Sequence, residues 1–200
     1  MADPDPVRGY LFLGEINHAA LRVHFATPFA GLLVSGGSFN GPVWVATILL
    51  ILVHEFGHAI AAWSCGFKVT SIEVLPFGGL CRYEGFATPL QDSVVAFAGV
   101  WAQLLAFAVA KPVHTYLELT PQMKDFVWVF TTPNLYMVAF NMLPIPPLDG
   151  PDAWAFFPRL YRRIFRKERR AKVRGRVDEL DAKLNAPTKA EPEKKKEWLN

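Results

Sequence analysis

Three stretches of this chain, residues 25–53, 93–110 and 126–148, contain no Asp, Glu, Lys, Arg or His. Roughly 20 apolar residues cross a bilayer core of about 30 Å, so runs of this kind read as membrane spans. A helix satisfies its backbone N–H and C=O groups within its own segment, so runs of this length suit helices. The first run ends in an anomaly. Residues 45–63, VATILLILVHEFGHAIAAW, set His54, Glu55 and His58 in the middle of an otherwise apolar segment. An ionisable side chain at bilayer depth costs about 2.5 to 3.5 kcal/mol, so this cluster requires compensating partners or a task.

GSFNGP supplies a turn, and Gly41 and Pro42 suit a helix start, which predicts a helix from Pro42 through about Trp63. At 1.5 Å per residue, His54 sits roughly 18 to 20 Å along it, past the midplane. The preceding apolar piece, 27–38, is short for a span and suits a buried or re-entrant element. Charge is distributed unevenly: residues 1–158 carry a net −5 and residues 159–200 a net +8. The positive-inside rule places the basic segment RLYRRIFRKERRAKVRGR on the cytoplasmic side, and with it both chain ends and the charged end of the first long helix. MADPDPVRGYLFLGE lacks the pattern of a cleavable signal peptide, so the spans are expected to direct insertion. Cys65 and Cys81 fall on the cytoplasmic side as reduced, unpaired thiols.

Within residues 1–24, Leu21, Val23 and Phe25 alternate with Arg22 and His24 as in a short strand. FKVTSIEVLPFGGLCRYEG, residues 67–85, has β-branched residues and a Pro-Phe-Gly-Gly centre around Phe77, Gly78 and Gly79; it reads as an interfacial hairpin. KPVHTYLELTPQMKD, residues 111–125, has no net charge, which suits an external loop. WAFFPRLYRRIFRKERR combines aromatic residues with a dense basic face and predicts an interfacial helix bound to anionic lipid. No recognition motif accompanies that charge, which argues against nucleic acid. PTKAEPEKKKEWLN reads as disordered.

On a helix, residues four apart share a face, so His54 and His58 can present two imidazoles to one metal ion, with Glu55 placed to act on a metal-bound water. A catalytic zinc also needs a third protein ligand and an open position. Asp149 is the best candidate: it ends the third uncharged run, and Pro144, Pro146 and Pro147 before it prevent a regular helix. Irregular backbone at membrane depth survives only where protein or a wet cavity surrounds it, which is also what a metal site requires. His18, His24 and His114 lie in polar segments, and Cys65 and Cys81 lack paired spacing.

HEFGH in a span, followed about ninety residues later by NMLPIPPLDG, resembles the site-2 protease family of intramembrane zinc metalloproteases. The second motif matches the family's Asn-x-x-Pro-x-x-x-Leu-Asp-Gly pattern at Asn141, Pro144, Leu148, Asp149 and Gly150, and the resemblance covers residues 20–155. It implies one zinc per chain held by His54, His58 and Asp149, with Glu55 as general base and membrane-spanning or membrane-tethered proteins as substrates. The hairpin at Gly78 and Gly79 resembles the family's membrane-associated β element, whose strand edge could hold an unwound peptide, and Asn141 could position it. Where the family often has Gly-Pro-x-x-Asn, this chain has GVWAQ at Gly99–Gln103, so no role is assigned to Gln103. No PDZ or nucleotide-sensing domain is expected.

The expected fold is an all-α polytopic membrane protein: a three-helix metalloprotease core with a short leading hydrophobic segment and a small interfacial β-hairpin. Residues 1–24 form a cytoplasmic segment, 25–155 the intramembrane core and 156–200 the basic cytoplasmic tail. Two other functions compete with proteolysis. A membrane scaffold or chaperone would not need the four candidate site residues, and a metal transporter would spread more ligands over several spans.

Overall fold

The structure, a computed structural model, describes residues 7–76 and 78–184; Phe77 and the PTKAEPEKKKEWLN segment lie outside the described residues. The chain divides into two compact units, residues 1–159 and 160–200.

The first unit is organised around one long helix, α2 (Gly41–Ser64). The Asn40 side chain accepts the Val43 N–H at 3.2 Å, and Pro42 opens the first turn, so both ordinary start signals are used. Among the described residues, α2 and α3 (Pro89–Tyr116) are long and apolar enough to cross a membrane. Thr88 and Gln91 form a reciprocal capping box at the start of α3. This helix extends beyond the expected 93–110 at both ends and runs through Pro112, so part of the expected external loop is its last turns.

The third uncharged run is not one helix. It forms α4 (Pro121–Val129) and α5 (Thr132–Asn141), separated at Phe130–Thr131. Pro133 explains the break: it supplies no N–H to the preceding turn, while its fixed φ suits the first turn of a new helix. The leading hydrophobic piece is α1 (Pro28–Val34), two turns long.

The expected hairpin is half of a larger object. Strands β1 (Tyr10–Ile16), β2 (Ala19–His24), β3 (Lys68–Leu75) and β4 (Gly78–Glu84) form one sheet in chain order. The outer pairs are antiparallel and the central β2–β3 pair is parallel, so the connection between β2 and β3 contains α1 and α2. One sheet face is apolar: Ala19, Val69 and Ile72 pack with Ala59, Ala62 and Val95, while Val74 packs with Ala30 and Ile51. The opposite face carries Arg22 beside its register partner Glu73, at 3.8 Å, and Arg82 at 3.4 Å from the same carboxylate. These contacts lay β2 and then α1 alongside α2 in the opposite direction, from the level of Ala62 to Trp44, where Gly31 packs.

After α5 the chain turns through the proline-rich segment into α6 (Gly150–Trp154). Trp154 Nε1 donates to the Met142 carbonyl at 2.8 Å, and Ser93 Oγ donates to the Asp152 carbonyl at 2.7 Å. Arg159 bonds Ser93, the Pro89 carbonyl and the Asp152 carboxylate, tying this segment to the start of α3. The final helix, α7 (Phe156–Leu184), continues into the second unit. There, Tyr161, Ile164, Phe165, Val173, Val177 and Leu180 are exposed on a sequence rich in Arg and Lys.

Candidate active site

His54, Glu55 and His58 are all buried in the C-terminal half of α2. The two imidazoles meet edge to face with Nε2 atoms 3.0 Å apart. Each ring is held from behind through Nδ1: His58 by the Val95 carbonyl at 2.7 Å, His54 by Gln103 Oε1 at 3.0 Å. The Val95 carbonyl can only accept, so His58 carries a proton on Nδ1, which leaves Nε2 as the nitrogen that can meet a metal.

Asp149 closes a triangle with the two rings. Its Oδ2 lies 2.9 Å from His54 Nε2 and 3.3 Å from His58 Nε2. A tetrahedral divalent ion with bonds of 2.0 to 2.1 Å sets its ligand atoms about 3.3 Å apart, so the two nitrogens and one oxygen fit such an ion in both chemistry and spacing. Glu55 also reaches this neighbourhood: its carboxylate and both imidazoles offer ligand atoms within 4.8 Å of one another. Two carboxylates thus flank the histidine pair. Asp149 touches both Nε2 atoms, whereas the Glu55 carboxylate lies against β4 at Gly79.

The prolines before Asp149 let it reach the triangle by unwinding the chain after α5. Gly99 on α3 allows the other close approach, because a Cβ there would collide with both imidazoles. Gly79 on β4 does the same for the base candidate: a Cβ would strike the Glu55 carboxylate. The missing side chain at Gly79 therefore accommodates Glu55 itself. Gly78 starts the strand at φ +147° with open space where a Cβ would stand. Asn141, at the end of α5, is buried with Nδ2 3.4 Å from His54 Nε2.

These groups line a cleft of about 590 Å³ between α2, the start of α3, β4 and the segment at Pro147–Asp149. Cys81 and Tyr83 from β4 and Asp92 from α3 complete its rim. Burial pushes the Cys81 thiol up to about 12, with the Glu55 carboxylate adding to the effect. Burial likewise pushes the Tyr83 phenol up to about 12, reinforced by Asp92, whose Oδ1 accepts from Tyr83 Oη at 3.4 Å. Both are neutral donors at ordinary pH. Cys65 and Cys81 are free thiols, and among the described residues the metal-capable cluster is the one around His54.

Gln103 was unassigned by sequence, yet its side chain orients a proposed ligand. The available signal was chemical: it is a lone amide in the otherwise apolar run of residues 93–110, where an unpartnered polar group is costly.

An HExxH helix whose two histidines meet a carboxylate from an unwound segment, beside a sheet edge and among apolar helices, defines the class of membrane-type metallohydrolases. The family model for Peptidase M50B-like proteins matches residues 28–140, and the chain belongs to that family. The matched stretch contains His54, Glu55 and His58; Asn141 and Asp149 follow it. The chain is 30% identical over 138 residues to stage IV sporulation protein FB of Bacillus subtilis, covering 65% of this chain and 45% of that protein. It is 23% identical over 128 residues to zinc metalloprotease MJ0392 of Methanocaldococcus jannaschii, covering 63% of this chain and 37% of that protein. The chain thus spans less than half the length of these curated relatives. Among solved structures, the site-2 protease from Methanocaldococcus jannaschii shares the fold, with a TM-score of 0.58 at 19% identity, covering 72% of this chain and 69% of that one.

Proposed function

We propose that this chain is an intramembrane zinc endopeptidase that hydrolyses peptide bonds of membrane-spanning or membrane-tethered proteins, as in regulated intramembrane proteolysis. The observation that carries the reading is the triangle of His54 Nε2, His58 Nε2 and Asp149 Oδ2, with a separate carboxylate, Glu55, beside it on a helix apolar enough to cross a membrane.

One zinc ion held by His54, His58 and Asp149 would polarise the scissile carbonyl and acidify its water. Glu55 accepts the proton from the attacking water and returns it to the departing amine, so its carboxylate ends each cycle ionised. A substrate helix has satisfied its own backbone groups and must unwind before its carbonyl can be reached. The outer edge of the terminal strand β4 lines the cleft, and an extended segment laid along it would gain backbone hydrogen bonds in place of those lost on unwinding. Gly78 leaves room at the start of that edge, and Asn141 Nδ2 is placed to donate to the substrate. The chain is read as a multi-pass membrane protein with cytoplasmic ends, with α7 resting on anionic lipid.

Metal transport is supported less well. It calls for ligands along a path, whereas one metal-capable cluster occurs among the described residues. The test compares the native chain with Glu55→Gln in detergent, by zinc content and by cleavage of a helical membrane substrate. Both proteins should hold about one zinc, while Glu55→Gln should lose about 10²- to 10⁴-fold in cleavage rate. Full activity in Glu55→Gln would overturn the mechanism, and absence of zinc from both would overturn the metal assignment.

A further inference from the structure

Behind His54 lies a fully buried polar chain between α3 and α5. Gln103 Oε1 is 3.0 Å from His54 Nδ1, and the Gln103 backbone carbonyl accepts from Asn134 Nδ2 at 2.8 Å. Asn134 Nδ2 also donates to the Phe130 carbonyl at 3.2 Å. Among the described residues, two buried side-chain atoms have no hydrogen-bond partner, Gln103 Nε2 and Asn134 Oδ1. One is a donor, the other an acceptor, and their residues already touch. Each orphan costs about 1 to 3 kcal/mol, and one shared hydrogen bond, direct or through a single water, removes both.

We propose that Gln103 and Asn134 are a pair of positioning residues that select which nitrogen of His54 is free to bind metal. This inference rests on the proposed metal site. The selection follows from donor and acceptor types alone. Both backbone carbonyls that meet Asn134 Nδ2 can only accept, so the Asn134 amide has one orientation and Oδ1 faces away from them. An acceptor there holds the Gln103 NH₂, which turns Gln103 Oε1 to His54. His54 must then donate from Nδ1 and keep the Nε2 lone pair toward His58 and Asp149. A reversed Gln103 amide would donate to Nδ1 and move the proton to Nε2, where it would block a ligand position. His58 needs no such device, because the Val95 carbonyl has only one role available. Hydrogen-bond partners behind a metal-bound histidine commonly matter 10- to 100-fold in metal affinity.

The experiment measures zinc affinity of the full-length chain in detergent by chelator competition, for the native protein, Gln103→Leu, Asn134→Leu, Gln103→Glu and Asn134→Leu combined with Gln103→Glu. A carboxylate at position 103, ionised beside the dication, only accepts and needs no partner to orient it. Both leucine variants should bind zinc about 10- to 100-fold more weakly. Gln103→Glu should bind at least as tightly as native, and it should restore affinity to Asn134→Leu. Native affinity in Asn134→Leu, or a double variant no tighter than Asn134→Leu, would overturn the pairing. A native chain that binds no zinc would instead overturn the metal site itself. Should a leucine variant fail to fold, ¹⁵N NMR of histidine in the zinc-loaded native chain decides: a proton on His54 Nδ1 is expected, and one on Nε2 overturns the proposal.

Discussion

Asp149 and Glu55 are both carboxylates beside the same two imidazoles, and their contacts divide their roles. Asp149 touches both Nε2 atoms, so Asp149→Ala should lose bound zinc and activity together, as should His54→Ala and His58→Ala; elemental analysis beside a cleavage assay tests all three. Zinc retained in Asp149→Ala would shift the third-ligand role toward Glu55, the other carboxylate in reach. Cys81 offers a reading of the cleft at rest. Its ordinary value near 9 is raised to about 12, so the reactive thiolate is scarce below that pH and grows as pH rises toward it. With Cys65 replaced by Ser, alkylation of Cys81 at pH 8 should run about 10³-fold slower than for an unperturbed thiol, and a rate profile against pH checks the direction. The histidines and Asp149 could be singled out as candidates in the sequence because an ionisable group in an apolar run or behind a proline break demands an explanation. Gln103 was not, because an uncharged amide raises no comparable alarm until its partner is seen.

Among elements, α2 was legible almost to the residue, since an uncharged run with Gly41 and Pro42 at its start leaves few other choices. The sheet was only half legible. β3 and β4 are adjacent in sequence and read as a hairpin, whereas the β2–β3 ladder pairs residues 51 apart, a pairing that no local pattern encodes. The break between α4 and α5 was hidden by the absence of charge, which is continuous through Pro133 while the helix is not. The strand against Glu55 yields a separation of effects. Gly79→Ala places a methyl in the space of the Glu55 carboxylate and should slow cleavage of helical substrates and short extended peptides alike. Gly78→Ala meets nothing nearby but strains the backbone at φ +147°, so it should disturb the start of the β4 edge and slow the helical substrate more. Equal slowing of both peptide types by Gly78→Ala would reduce that residue to a support of the turn.

For the whole molecule, a net −5 over residues 1–158 and a net +8 over residues 159–200 predict that both chain ends are cytoplasmic. In a chain with Cys65 and Cys81 replaced, Thr115→Cys should react with an impermeant thiol reagent from outside, and Lys172→Cys only after permeabilisation; the reverse pattern would invert the topology. The exposed apolar residues of α7 predict a second outcome: in nanodiscs, amide exchange over residues 160–180 should slow when anionic lipid replaces neutral lipid. The parallel β2–β3 pair also bears on biosynthesis. Its two strands straddle α1 and α2, so the central ladder cannot close until α2 is already in place, and β4 can come to rest over Glu55 only afterwards. Asp149 emerges last, 95 residues behind His54. At synthesis rates of about 5 to 20 residues per second, roughly 5 to 20 s separate the appearance of the histidine pair from that of the third group. For that interval the ribosome-bound chain carries the histidines and Glu55 without the proposed third ligand, so the site is assembled only after every span that precedes Asp149 has been made.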